Sequence, residues 1–417
     1  MIASGAAMSN SPVLAVDFGT SNTAAAVYAG GAVRRIPLEQ GDDTLPTAVF
    51  FPANGAAMQI GHAATRALID GAEGRFMRAL KSILGTALFH ESRLIGGKRR
   101  TLADIVTAFL TRLKTEAEGR TGLTFTAVLS GRPVHFHSND PVRDVQAEAD
   151  LRACYAAAGF TQIDFLNEPE AAAHAASDAQ GVGLIVDIGG GTSDFTVFRR
   201  TGAQIETLAS HGIRLGGTDF DQAISLAHVM PLLGLGGTLK RDFGPGLLPV
   251  PNAIYVDLAT WAKIPFLYTP ETRRAVADLQ KHATDRTALS HLATVIEDEL
   301  GHSTAFAVER GKIAANSGQD TRIPLGFIAK GLAAPITPAS LTAALTDFRT
   351  RLLTAITETL AIASTPPEAI ENIVFVGGSS LMEMVTTTAA AACPQAKHLQ
   401  AEAFTAVVDG LAIATRP

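Results

Sequence analysis

The stretch Asp187-Ile188-Gly189-Gly190-Gly191-Thr192-Ser193-Asp194 stands between two apolar runs, residues 183–186 before it and 195–198 after it. Apolar run, polar glycine turn, apolar run reads as strand, turn, strand. The same layout occurs near the start of the chain. There residues 12–16 lead into Asp17-Phe18-Gly19-Thr20-Ser21-Asn22-Thr23, and a second apolar run reaches Tyr28. The two aspartates lie 187 − 17 = 170 positions apart. That is too long for a solenoid unit and points to duplication of a whole domain. A third apolar strand, residues 373–376, ends in Gly377-Gly378-Ser379-Ser380 and runs into a helical pattern. Helical patterns also cover residues 102–117 and 289–315, the latter with Leu292, Val295, Ile296, Leu300 and Val308 on one face. Strands alternating with helices favour an α/β protein.

Composition narrows the class. A chain of 417 residues exceeds what one core comfortably holds, so two lobes are expected. Hydrophobic residues at 47% and charged residues at 18% exclude wholesale disorder. Net charge is 34 − 40 = −6, and the longest basic cluster is Lys98-Arg99-Arg100, so no nucleic-acid partner is expected. Cys154 and Cys393 are too few for a disulfide framework or a four-cysteine zinc site. The first eleven residues carry no basic residue and no sustained apolar core, and no apolar run is long enough to cross a membrane. A cytoplasmic protein with no membrane contact is the expectation. Residues 234–251, rich in glycine and proline, read as an irregular loop, and no low-complexity linker divides the chain.

Glycine turns that bear hydroxyls and follow a strand-end aspartate suit phosphate chemistry. Without a Cβ, the backbone can turn its N–H groups onto phosphate oxygens. The hydroxyls add donors, and the carboxylate can hold a hydrated Mg²⁺. The bland alternative is a pair of ordinary β-hairpins, which fits one such turn better than two turns plus Gly377-Gly378-Ser379. Other nucleotide motifs fail. The Gly-Lys pairs continue as Arg99 and Ile313, so no Walker A loop is present. Gly189-Gly190-Gly191 opens a strand and lacks the spacing of a dinucleotide turn.

Taken together, these residues resemble the actin–hexokinase–heat-shock superfamily and, within it, the nucleotide-binding domain of the seventy-kilodalton heat-shock chaperones of DnaK type. Asp17 to Asn22 is similar to the first phosphate motif, Asp187 to Asp194 to the second, and Val376-Gly377-Gly378-Ser379 to the adenosine motif. Leu166-Asn167-Glu168-Pro169-Glu170-Ala171-Ala172-Ala173 resembles the segment of the catalytic glutamate. Ala79-Leu80-Lys81-Ser82-Ile83-Leu84-Gly85 resembles that of the catalytic lysine. Leu215-Gly216-Gly217-Thr218-Asp219-Phe220-Asp221 follows the second hairpin as in the family, and Glu309-Arg310-Gly311-Lys312-Ile313 resembles the helix that grips adenosine. The likeness runs from about Val13 to Ala414. It implies a two-lobed actin-like ATPase fold, duplicated RNase H-like domains around a nucleotide cleft. The first lobe would span residues 13–180 with a final helix at 400–417, and the second residues 181–399.

The resemblance also implies roles. Asp17 and Asp187 would hold Mg²⁺ through its waters, with K⁺ as a further cation. Lys81, Glu168, Asp194 and Thr192 would serve hydrolysis. Gly19, Thr20, Ser21, Asn22, Gly189, Gly190, Gly191, Thr192 and Gly217 would hold the phosphates of ATP or ADP. Glu309, Lys312, Asn316, Gly377, Gly378 and Ser379 would hold the nucleoside. The sequence departs from the pattern at Thr218 (usually Glu), Asn316 (usually Ser) and Phe404 (usually Asp). It reaches Pro417 without the family's apolar, acidic linker and peptide-binding sandwich. The truncated YegD-type relatives are therefore the nearest subgroup, and Gly131-Arg132-Pro133-Val134 resembles their proline switch.

Ordinary explanations compete with several of these roles. A lone lysine is commonly a solvated surface residue. Glu168 before Pro169 could be a turn carboxylate, and Glu309 with Lys312, three apart, a surface ion pair of little worth. An unpaired Asp187 at the end of so apolar a strand would be costly, which favours a ligand. His135 and His137 alternate as on a strand but have no third ligand, and Trp261 reads as core. The function expected is a slow Mg-ATPase switch, monomeric and read by a protein partner. Its rivals are a small-molecule kinase of the same superfamily and an actin-like filament protein. Lys81 and Asn167-Glu168-Pro169 favour the first.

Overall fold

The computed structural model describes residues 12–39, 41–176, 180–202, 204–241, 244–400 and 405–416. Two sheets carry the architecture, and they share one strand order. In the first, Val13–Phe18 pairs antiparallel with Asn22–Ala29, which pairs with Ala32–Arg35. On its other side Val13–Phe18 runs parallel to Ala127–Arg132, followed by Gln162–Asn167. In the second, Gly181–Ile188 pairs antiparallel with Ser193–Thr201, which pairs with Gln204–Ile213. Its parallel neighbours are Asn372–Val376 and then Lys397–Gln400. The duplication read from the two aspartates is thus a duplication of sheet topology. The first strand of each hairpin also borders a parallel neighbour, so its turn opens at the carboxyl end of the sheet, where α/β proteins place ligands.

Alternation along these strands sorts their side chains into cores. Leu14 and Val16 enter a core with Phe18, Phe109, Leu110 and Leu151, while Leu184 and Val186 enter another with Phe195, Leu352 and Phe375. The intervening residues, Ala15 and Ile185, face a third core. That core contains Ala171, Ala172 and Ala173 of the helix Glu168–Ala175 and Val407, Val408 and Leu411 of the last helix, Ala406–Ala414. Small residues let these two helices approach closely. A Cβ on Gly410 would stand 1.7 Å from the Ala171 carbonyl oxygen. The last helix is also fastened to the first sheet by Arg35, whose Nε and Nη2 donate to Asp409 at 2.9 and 2.7 Å.

Three expectations are revised. The helical pattern over 289–315 is two helices, Arg286–Glu297 and Gly301–Asn316, separated where Glu299 takes a left-handed φ of 56°. Residues 234–251 are not irregular throughout. Thr238–Lys240 and Leu247–Pro249 pair antiparallel, Thr238 opposite Pro249, so apolar pairing prevailed over the glycines and prolines that flank it. His135 and His137 lie outside any strand, and His137 donates from Nε2 to the Leu84 carbonyl at 2.7 Å. Trp261 is buried, as expected. Residues 1–11 and Phe404 lie outside the described residues. No helix among the described residues is long and apolar enough to cross a membrane.

The Gly410–Ala171 contact gives a direct test of this packing. Gly410→Ala should force the last helix outward and cost about 1–3 kcal/mol, read as a lower midpoint in thermal or urea unfolding. An unchanged midpoint would contradict the contact.

Candidate functional site

The two glycine turns close in the same way. Gly19 N–H donates to the Asn22 carbonyl at 3.0 Å, and Gly189 N–H to the Thr192 carbonyl at 2.9 Å. They also touch each other. A Cβ on Gly190 would lie 2.5 Å from Ser21 Oγ and 3.0 Å from the Thr20 Cβ, so the approach requires glycine. Behind the second turn, Gly217 N–H donates to the Gly189 carbonyl, while Thr218 gives the Gly190 carbonyl both its N–H, at 2.8 Å, and its hydroxyl, at 2.7 Å. Thr218, which departs from the family's usual Glu, therefore acts here as a fastener of the turn. The third turn reaches the same place. Gly377 has φ +79°, and a Cβ there would meet the Ile188 carbonyl at 2.4 Å and Asp187 Oδ1 at 2.9 Å.

A cavity of about 420 Å³ opens over these turns. Its lining includes Asp17, Gly19, Thr20, Ser21, Asn22, Lys81, Glu168, Asp187, Gly189, Gly190 and Thr192, together with Glu309, Lys312, Asn316, Gly377, Gly378 and Ser379. Gly191, Gly217 and Asp194 do not line it. Gly191 packs on Thr20, and Gly217 lies against Ser379 Oγ. Asp194 sits beneath, opposite Asp187 in the hairpin register, and accepts from Val134 N–H at 2.7 Å.

Lys81 is buried, not the solvated residue a lone lysine usually is. It enters on the short 3₁₀ turn Leu80–Ile83 after Ala79, whose φ of 62° is left-handed, and its Nζ meets Glu168 Oε1 at 2.5 Å. Glu168 opens the helix Glu168–Ala175. The cluster thus holds four carboxylates, Asp17, Asp187, Asp194 and Glu168, against one buried ammonium. Burial first, then the Glu168 charge, pushes the Asp17 carboxyl up to about 7, against the pull of Lys81. Burial followed by the Glu168, Asp194 and Asp17 charges holds Asp187 well above the usual carboxylate range. Burial and Glu168 raise Asp194 to about 8, although Val134 N–H and the Thr192 side chain stabilise its anion. Lys81 itself is desolvated, yet Glu168 and Asp17 keep it above its ordinary value.

Such a cluster is short of positive charge, and its donors are all oxygen, which suits Mg²⁺. Among the described residues no group of three or more His, Cys, Asp or Glu is arranged to hold a metal alone.

Glu309 and Lys312 do not pair with each other. Glu309 takes Arg78 at 3.1 Å, and Lys312 takes buried Asp221 at 2.7 Å. Trp261 Nε1 donates to the other oxygen of Asp221 at 3.1 Å, and Arg78 lies 4.6 Å over the Trp261 ring. The sequence reading missed Arg78 as a partner, and it missed Thr23, Ala24, Thr44, Ile313, Leu381, Met382 and Val407 as lining residues. Arg78 stands three positions before Lys81, the only signal available; the apolar residues carry none.

The doubled sheet order and the cleft between its turns are those of the actin-like ATPase fold. A family model described as Hsp70 protein matches residues 90–231, a span that includes Glu168, Asp187 to Asp194, and Gly217. The match covers about a third of the chain.

The raised carboxyls make a prediction about stability. Asp17 rises from 3.8 to about 7 on folding, so its favourable contribution is complete below about pH 4 and is lost as pH climbs through 7. Without divalent cation, Asp17→Asn should gain stability over the wild type between pH 5 and 8, by on the order of a few kcal/mol. Parallel thermal melts across that range check it; a pH-independent difference would contradict the buried charge.

Proposed function

We propose that the protein is a Mg-ATP-binding, slowly hydrolysing molecular switch of Hsp70 type, cytoplasmic, with YegD-type proteins as its nearest subgroup. The observation that supports this most is the buried Lys81–Glu168 pair set beside two touching glycine turns and a surplus of carboxylate. In this reading the N–H groups and hydroxyls of Gly19 to Asn22 and Gly189 to Thr192 hold the phosphates. Asp17 and Asp187 would hold a Mg²⁺ ion, which would supply positive charge beside the phosphates. Lys81 presents its ammonium to the terminal phosphate, where charge develops during transfer. Glu168 fixes Lys81 and completes the polar cluster. Asp194, below the floor, orients Thr192 and is placed to attract a K⁺ ion.

Residues 13–180 with 400–417, and residues 181–399, form the two lobes of the switch. ATP and ADP favour different lobe angles because only the terminal phosphate engages both hairpins at once. Val134 ties that difference to the outside. Its N–H is held by Asp194, and it follows Gly131-Arg132-Pro133 at the carboxyl end of the strand Ala127–Arg132. A protein partner reads the resulting change.

Lys81→Ala should keep ATP affinity within a few-fold and lower turnover by about 100-fold or more, the scale for removing one transition-state charge. Because that substitution leaves Glu168 buried without its cation, Lys81→Ala combined with Glu168→Gln serves as the folded control. Wild-type turnover in both variants would overturn the assignment.

A further inference from the structure

The brace behind the second glycine turn begins one residue before Leu215. Arg214 follows directly on the strand Gln204–Ile213, an edge of the second sheet. A few residues on, Thr218 fastens the Gly190 carbonyl. The side chain of Arg214 reaches instead to the turn that carries Lys81. Its Nη2 donates to the Ser82 carbonyl at 2.8 Å, across 132 positions of sequence. Its Nη1 stands 3.4 Å from His137 Nδ1. Because His137 donates from Nε2 to the Leu84 carbonyl, its Nδ1 is left as an acceptor, and the guanidinium donates to it. Arg214 thus grips the carbonyls of Ser82 and Leu84, the first directly and the second through His137.

The backbone of Arg214 is itself held. Its N–H donates to Ser138 Oγ at 2.6 Å, and its carbonyl accepts from Arg351 Nη2 at 3.4 Å. Burial first, with the Arg214 and Arg143 charges adding to it, holds His137 below its ordinary value, so the ring is the neutral relay these bonds require. Ala79, Ser82, Gly191, Arg214 and Thr218 share the lining of a cavity of about 70 Å³, so both turns and the arginine meet at one place. The charges that move Asp17, Asp187 and Asp194 are those of Glu168, Lys81 and one another, whereas Arg214 acts on Asp219 and His137. Its lever on the site is therefore the pair of bonds, not its field.

We propose that Arg214 is a positioning residue for the hydrolysis assigned to Lys81: through Ser82 and His137 it fixes where the Lys81 ammonium stands relative to the second glycine turn, and so to the terminal phosphate. The proposal rests on the nucleotide reading above. A shift of a reacting group by about 1 Å costs on the order of a hundredfold in rate. Arg214 is exposed, and Asp150 also ties this turn through Gly85, so a smaller loss of about tenfold is expected. An arginine that merely fastened two segments would change stability and leave the chemistry alone.

Single-turnover hydrolysis and calorimetric Mg-ATP binding by the full chain, with thermal melts alongside, test the role. Arg214→Ala should hydrolyse ATP about tenfold more slowly while its affinity stays within about threefold of wild type. Arg214→Lys keeps a donor and should lose less; it carries the same comparison if the alanine variant melts early. In a background of Lys81→Ala with Glu168→Gln, adding Arg214→Ala should change turnover by less than about twofold, because residues that act through one group are not additive. Wild-type turnover in both Arg214 variants, a loss of affinity equal to the loss of rate, or the same loss with and without Lys81 overturns the positioning role and leaves the nucleotide reading intact. Failure of the wild-type protein to bind or hydrolyse ATP overturns that reading, and this role with it.

Discussion

Four carboxylates and one ammonium share a buried site at the junction of the two sheets, and most of the molecule's design follows from that imbalance. Asp17 and Asp187 end the central strands of the two sheets, Asp194 stands across the hairpin from Asp187, and Glu168 starts the helix that packs under the last helix. Only Lys81 opposes them in the cluster, at 2.5 Å from Glu168. Burying like charges this close is costly, and the raised carboxyls express that cost. In the reading proposed above, a bound cation would relieve that surplus of negative charge.

The rest of the fold keeps that cluster tight. The first two turns meet only because Gly190 has no side chain, and the third reaches Asp187 only because Gly377 can take a positive φ. The Lys81 turn is pinned from below, where Asp150 Oδ2 accepts from Gly85 N–H at 2.9 Å and His137 bonds the Leu84 carbonyl. Each contact crosses a long span of sequence, so the site forms only when both sheets are assembled.

Much of this was legible in the residues. The Asp-Gly-Thr turns at 17–22 and 187–194 combine an alternating apolar pattern with residues that have little other reason to cluster, so they announce both the hairpins and their chemistry. Lys81 and Glu168 were found through the segments around them, since neither residue type alone distinguishes a buried pair from a solvated one. The partners of Glu309 and Lys312 were not legible. Arg78 and Asp221 are ordinary charges in sequence, and which one meets the helix Gly301–Asn316 depends on how distant elements dock. The hairpin within 234–251 was hidden for a different reason, because glycine and proline advertise turns more loudly than three-residue strands advertise pairing.

The central claim is that the carboxylate cluster is completed by a metal-bearing nucleotide. Calorimetric titration of ATP into the protein with excess Mg²⁺, and again with the cation chelated, addresses it most directly. The account predicts that chelation weakens binding by about tenfold or more, and that Asp187→Asn removes most of that difference. Equal affinity with and without Mg²⁺ in the wild-type protein would contradict it.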